Sequence, residues 1–238
     1  MSESKIKRRL ELEKMMGVDA LVRRPPGQRR NEPDEPETSE GEGELDVEEE
    51  LKKVEQEVKA CTKCRLHETR TQGVFARGRA DADLMFVGEA PGADEDREGE
   101  PFVGRAGRLL DEMILAMGLE REEVYITNIV KSRPPKNRDP RVDEIEACWP
   151  YLERQIELVD PKIMVTLGKP ASNTLLGRNS AMGDMRGNWY SYEGIPVLAT
   201  YHPAYLLRSP SQKSKVWEDL KQVLLALHGE IHPEHPEM

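Results

Sequence analysis

Apolar positions along the chain follow two patterns: short unbroken runs, and stretches spaced by three and four residues. Leu84-Met85-Phe86-Val87 runs uninterrupted into Gly88, which suits a strand buried on both faces. Residues 105–117, RAGRLLDEMILAM, have helical spacing instead and meet Gly118, a natural stop. VYITNIV over 124–130 is rich in β-branched residues and predicts a second strand. Residues 141–158 predict a helix carrying Cys148, KIMVTLG over 162–168 a third strand, and a further helix is expected to start near Lys169. WYSYEG and IPVLATYHP supply one or two more strands, and SQKSKVWEDLKQVLLALHG closes as an amphipathic helix. Strands alternating with helices imply a parallel sheet covered on both faces. The expected fold is therefore a three-layer α/β/α domain around a central, mainly parallel four-stranded sheet.

Upstream the pattern weakens. Helical periodicity over 45–60 (Leu45, Val47, Leu51, Val54, Val58) leads into the first cysteine, and residues 5–22 have the spacing of a short amphipathic helix. Between them, residues 23–44 have the charge, proline and glycine content of a disordered linker. The predicted organisation is an extension over 1–44, one domain over 45–230 and a tail over 231–238.

Composition narrows the setting. Mean hydropathy is −0.70 and 34% of residues are charged. No apolar run approaches the roughly 20 residues a membrane span needs. The first residues, MSESKIKRRLELEK, lack the apolar stretch and cleavage site of a secretory signal, so the expected compartment is the cytoplasm. Three cysteines, an odd number, argue against a disulfide framework and fit a reducing compartment.

The net charge of −10 is unevenly spread. Residues 31–50 hold eleven Asp or Glu and no Lys or Arg. Residues 1–60 carry 17 acidic and 12 basic groups, leaving 28 and 23 for the remainder. Within that mildly acidic body, Lys131, Arg133, Lys136, Arg138 and Arg141 form a basic run. It is either a solvated loop or a patch following a phosphate backbone, which needs local rather than overall positive charge.

In open parallel sheets, ligands bind beyond the carboxyl ends of the strands. That rule selects three segments. Gly88-Glu89-Ala90-Pro91-Gly92 follows the first strand; it lacks the Gly-Lys-Ser/Thr ending of a phosphate loop and the GxGxxG dinucleotide pattern. Asn128 sits among apolar strand residues, where its amide either bonds nearby backbone or pairs bidentately with a base edge. His202 precedes Pro203 after the last strand, as a turn residue or as a neutral donor to developing negative charge. Leu206 and Leu207 behind it have the size to fill the space left by a flipped base, with Arg208 holding a phosphate. Cys61 and Cys64 have a C-x2-C spacing shared by zinc and iron–sulfur sites. With Cys148 they make three thiols, one short of a four-cysteine site.

Taken together, the ordered segments CTKCRLHETRTQGVFARG, LMFVGEAPGADEDREGEPFVGRAGRLLDEMI, YITNIVKSRPPKNRDP and YHPAYLLR resemble family 4 of the uracil-DNA glycosylase superfamily, its iron–sulfur branch, over about residues 50–227. The resemblance implies hydrolysis of the N-glycosidic bond of flipped-out uracil, with uracil-containing DNA as partner and a monomeric protein. It implies that Phe102 stacks on the base beside Ala90 and Gly92, that Asn128 reads its edge, and that His202 contacts O2. By the same resemblance Leu206 or Leu207 enters the DNA stack. Glu89 is implied to orient water or stabilise the sugar cation, and Glu95 to crowd position 5 of the base. A [4Fe–4S] cluster is implied on Cys61, Cys64 and Cys148. Ser132 stands where the family has its fourth cysteine, so an oxygen donor, an external ligand, a missing iron or the absence of the cluster are all open.

Other classes are less well matched. The covalent DNA-capturing branch has an inserted basic loop with a nucleophilic His, and residues 131–141 contain no His. A purely redox iron–sulfur protein leaves Glu89, Phe102, Asn128 and His202 incidental, and a phosphoryl hydrolase lacks its P-loop lysine. The acidic extension is open to a role in contacting a repair or replication partner.

Overall fold

The computed structural model describes residues 46–233. The helix expected over 5–22, the linker over 23–44 and most of the tail over 231–238 lie outside them. Six strands form one sheet in the order β1-β3-β2-β4-β6-β5. These are β1 (Ala76–Gly78), β2 (Leu84–Gly88), β3 (Tyr125–Asn128), β4 (Ile163–Leu167), β5 (Trp189–Tyr192) and β6 (Ile195–Thr200). The expected count of four is thus corrected to six. The parallel core does hold four strands, β3-β2-β4-β6, and an antiparallel strand closes each edge. β1 escapes sequence reading because Ala76-Arg77-Gly78 is three residues long and shows no apolar alternation. β5 joins β6 through Glu193-Gly194, both left-handed (φ 50° and 87°), the requirement of a two-residue hairpin turn.

Every residue of β2, β3 and β4 is buried, as expected for strands covered on both faces. Alternate side chains of β2 feed two cores. Leu84 and Phe86 pack with Leu110, Ile114, Trp217 and Leu220, from helices α3 (Arg105–Ala116) and α8 (Lys213–Leu227). Met85 and Val87 pack on the other face with α1 (Val47–Ala60), α4 (Val142–Val159) and α5 (Lys169–Leu175). The α/β/α layering follows from this two-residue period. Three shorter helices complete the set: α2 (Ala93–Glu98), α6 (Met182–Met185) and α7 (Pro203–Arg208). Among the described residues no helix is long and apolar enough to cross a membrane.

The chain enters β2 at the middle of the sheet, crosses to β3 on one side, and then to β4 on the other. Flanking connections therefore diverge above the carboxyl end of β2. This switch point is where the crevice opens.

Candidate active site

A cavity of about 820 Å³ lies at that point, and the carboxyl ends of all four parallel strands reach it. β2 ends in Gly88 and delivers Glu89, Ala90 and Gly92; β3 delivers Asn128; β4 leads to Leu167-Gly168; β6 leads to Tyr201-His202. The residues selected from the sequence therefore meet in one place, with the exception of the two leucines, Ser132 and the cysteines.

Asn128 is 2% exposed and its Oδ1 has no hydrogen-bond partner. A buried, unpaired acceptor costs about 1–3 kcal/mol, so its presence at a cavity wall points to a donor supplied by a ligand. Phe102 is buried with φ +56°, and its ring stacks on His202 at 5.7 Å between centroids. Gly88 makes room for both groups: a Cβ there would stand 2.3 Å from Asn128 Oδ1 and 2.6 Å from the Phe102 ring.

His202 is the N-cap of α7, with Nδ1 accepting a hydrogen bond from the Ala204 N–H at 3.1 Å. An accepting Nδ1 places the ring proton on Nε2, leaving that nitrogen as a donor. Burial, helped by the Arg208 charge, lowers its pKa to about 4, so the ring is neutral at pH 7. Glu89 moves the opposite way. Burial, then the charge and hydrogen bond of Asp139, push its carboxyl up to about 7.

Glu95 is a tie rather than a free carboxylate. It accepts hydrogen bonds from the N–H groups of Gly92 (3.0 Å), Val103 (3.1 Å) and Gly104 (3.0 Å), which draws the loop around the cavity closed. The two leucines separate. Leu206 is 1% exposed in the core, while Leu207 is 43% exposed beside exposed Arg208. One helical position rotates the side chain by about 100°, enough to turn one leucine of α7 into the core and the next toward solvent.

Arg105, Lys169 and Arg208 are exposed at the rim, among the groups that sequence reading had left out apart from Arg208. Asp139 and Asn137 were also missed. They line the cavity from a loop whose Lys136 and Asn137 are both left-handed (φ 58° and 54°), which no sequence pattern signals. Lys131 leaves the basic run. It is 1% exposed, and its ammonium donates to Thr127 Oγ1 (2.7 Å) and the Asn128 carbonyl (2.6 Å) beneath the cavity.

The cysteines lie outside the cavity. Cys61 follows α1, Cys64 opens a short 3-10 turn (Arg65–Glu68), and Cys148 is buried on α4. Two sulfurs accept backbone N–H groups, Cys61 from Lys63 (3.5 Å) and Cys148 from Lys131 (3.4 Å). Arg70 donates to Ser132 Oγ (2.8 Å) and to the carbonyls of Lys59 and Cys61 (2.9 Å each). Among the described residues, no group of three or more His, Cys, Asp or Glu side chains stands close enough to hold a single metal ion.

The profile of the uracil DNA glycosylase superfamily matches residues 75–221, so the chain belongs to that superfamily. It is 49% identical to the type-4 uracil-DNA glycosylase of Sulfurisphaera tokodaii over 182 residues, 73% of this chain and 83% of the relative. It is 43% identical to that of Archaeoglobus fulgidus, over 74% of this chain and 92% of the relative. The Thermotoga maritima type-4 enzyme is 44% identical, over 71% and 90%. Within the superfamily the chain is a member of the type-4 family.

Proposed function

We propose that this chain hydrolyses the N-glycosidic bond of uracil flipped out of DNA, leaving an abasic site. The observation that carries it is the unpaired Asn128 Oδ1 on the wall of a cavity that also holds Phe102 and the Nε2 donor of His202. That oxygen accepts from uracil N3–H while the amide donates to O4; cytosine presents the reverse pattern and is rejected. Phe102 stacks on the base. As the C1′–N1 bond breaks, charge gathers on uracil and His202 donates to O2. Glu89 faces the sugar and orients the water that adds at C1′. Leu207, the exposed leucine, fills the vacated stack. Arg105, Lys169 and Arg208 meet phosphates.

The direct test is uracil release from a labelled uracil-containing oligonucleotide. The wild-type chain is expected to turn over many times, and the Asn128→Ala, His202→Ala double variant to release almost nothing. Full release by the double variant sinks the mechanism. A stable stoichiometric complex without release favours a DNA-capturing protein instead.

A [4Fe–4S] cluster on Cys61, Cys64 and Cys148, with Ser132 as the fourth donor, fits the residues present. Two of the three sulfurs already accept backbone N–H groups, as a cluster ligand would, and Arg70 donates to Ser132 Oγ, which ties that residue to the segment carrying Cys61. A cluster spreads its ligands wider than a single ion does. Such a cluster would pin the segment after α1 to the loop after β3. Oxygen binds iron as a harder and weaker donor than thiolate. Ser132→Cys is therefore expected to retain iron longer under chelator, followed by iron content and visible absorbance. Equal loss from both proteins removes Ser132 from the ligand set.

The expected setting is the reducing cytoplasm, as a monomer. The eleven acids of residues 31–50 are a candidate contact for a repair or replication partner.

A further inference from the structure

Phe102 is an L-residue held in the left-handed region, an arrangement that a bulky side chain adopts only when its surroundings impose it. The peptide that follows it is gripped at both ends by opposite charges. Its carbonyl, Phe102 O, accepts from Arg121 Nη1 at 3.0 Å, and its N–H, on Val103, donates to Glu95 Oε1 at 3.1 Å. Arg121 takes the preceding carbonyl as well, Pro101 O, from Nη2 at 2.6 Å. The guanidinium is only 9% exposed and lies behind the loop, outside the cavity lining. A cation so placed requires a counter-charge, and Asp111 on α3 supplies it through Nη1. Gly107 completes the seat: a Cβ there would fall 1.7 Å from Phe102 O, so the carbonyl reaches the helix only because that position is bare.

We infer that Arg121 is a positioning residue for base recognition, setting the Phe102 ring over the base by fixing the plane of the Phe102–Val103 peptide. The inference rests on the proposed uracil hydrolysis and adds to it a residue that touches neither base nor DNA. Glu95 and Arg121 act as one clamp on one peptide, the anion from the cavity side and the cation from the core side. Without the guanidinium, two carbonyls lose their donors and the backbone relaxes toward an ordinary φ. The ring then leaves its place beside His202.

The test is a double-mutant cycle read in kcat/KM on a uracil-containing oligonucleotide, with Tm recorded for each protein. Arg121→Met is expected to lower kcat/KM by about 10²-fold, the scale of a small misplacement at a binding group. In a Phe102→Ala background the same change should cost less than about threefold, because the group it positions is gone. Arg121→Lys, which reaches one carbonyl, should recover part of the loss. A merely structural role predicts the same loss in both backgrounds, and that result overturns the inference. So does an Arg121→Met protein within about threefold of wild type. If Arg121→Met does not fold, Asp111→Asn runs through the same cycle, with a smaller loss that again vanishes without the Phe102 ring. Failure of the proposed hydrolysis shows in the wild-type protein; failure of this inference shows only in the variants.

Discussion

Replacing His202 by alanine is expected to lower the single-turnover rate of uracil release by about 10²–10³-fold, the usual cost of removing one donor to a developing oxyanion. His202 caps α7, and its Nδ1 accepts from the Ala204 N–H. The proton therefore resides on Nε2, aimed away from the helix. Because the ring's pKa lies near 4, it works as a neutral donor and need not be charged first. The wild-type rate should show no histidine limb between pH 5 and 8. His202→Asn separates the two tasks: a short amide retains the N-cap acceptor and loses the donor's reach, so it should fold well and remain slow. A limb near pH 6.5 that disappears in His202→Ala would contradict the neutral-donor account, as would a loss under about threefold.

Glu89→Gln is expected to cost about 10²–10⁴-fold in kcat/KM, the range for a positioned acid or base. Its pH dependence is the sharper test. With the carboxyl near 7, the ionised form that handles water is scarce at pH 5. The wild-type rate should climb about tenfold per pH unit below 7 and level off above it. Stability should run the other way. The native carboxyl holds its proton up to about pH 7, whereas an unfolded one releases it near 4.5. Glu89 therefore favours the fold most at low pH, and that contribution declines between about 4.5 and 7. Glu89→Gln should flatten both curves in this window. A wild-type kcat/KM that stays flat from pH 5 to 8 excludes this role for Glu89.

The parts of this molecule legible in its sequence are those governed by local periodicity. β2, β3 and β4 are buried on both faces and so appear as apolar runs, and α3, α4 and α8 carry one apolar stripe each. The rule about strand ends then selects Glu89, Asn128 and His202, which all line the cavity. α2 was invisible because Ala93–Glu98 is almost wholly polar, its task being to present Glu95 to three backbone N–H groups rather than to bury a face. Lys131 was misjudged for a related reason. In a row of basic residues it has the same letter as its solvated neighbours, and only the fold turns its ammonium inward. Arg121 stands nineteen residues from the carbonyl of Phe102 and carries no motif of its own. Contacts of that kind are set by chain path, which periodicity does not encode.

Gly88 has a consequence for how this chain tolerates change. Its bare Cα is flanked by the Asn128 amide and the Phe102 ring, each inside the space any side chain would occupy. Every alternative letter there displaces both groups at once, including the single methyl of alanine. In a library sampling all twenty residues at each site, Gly88 should be among the least permissive columns, while the exposed Leu207 and Val142 accept much broader variation in folding. One of the tightest constraints on the pocket is thus an absence of atoms.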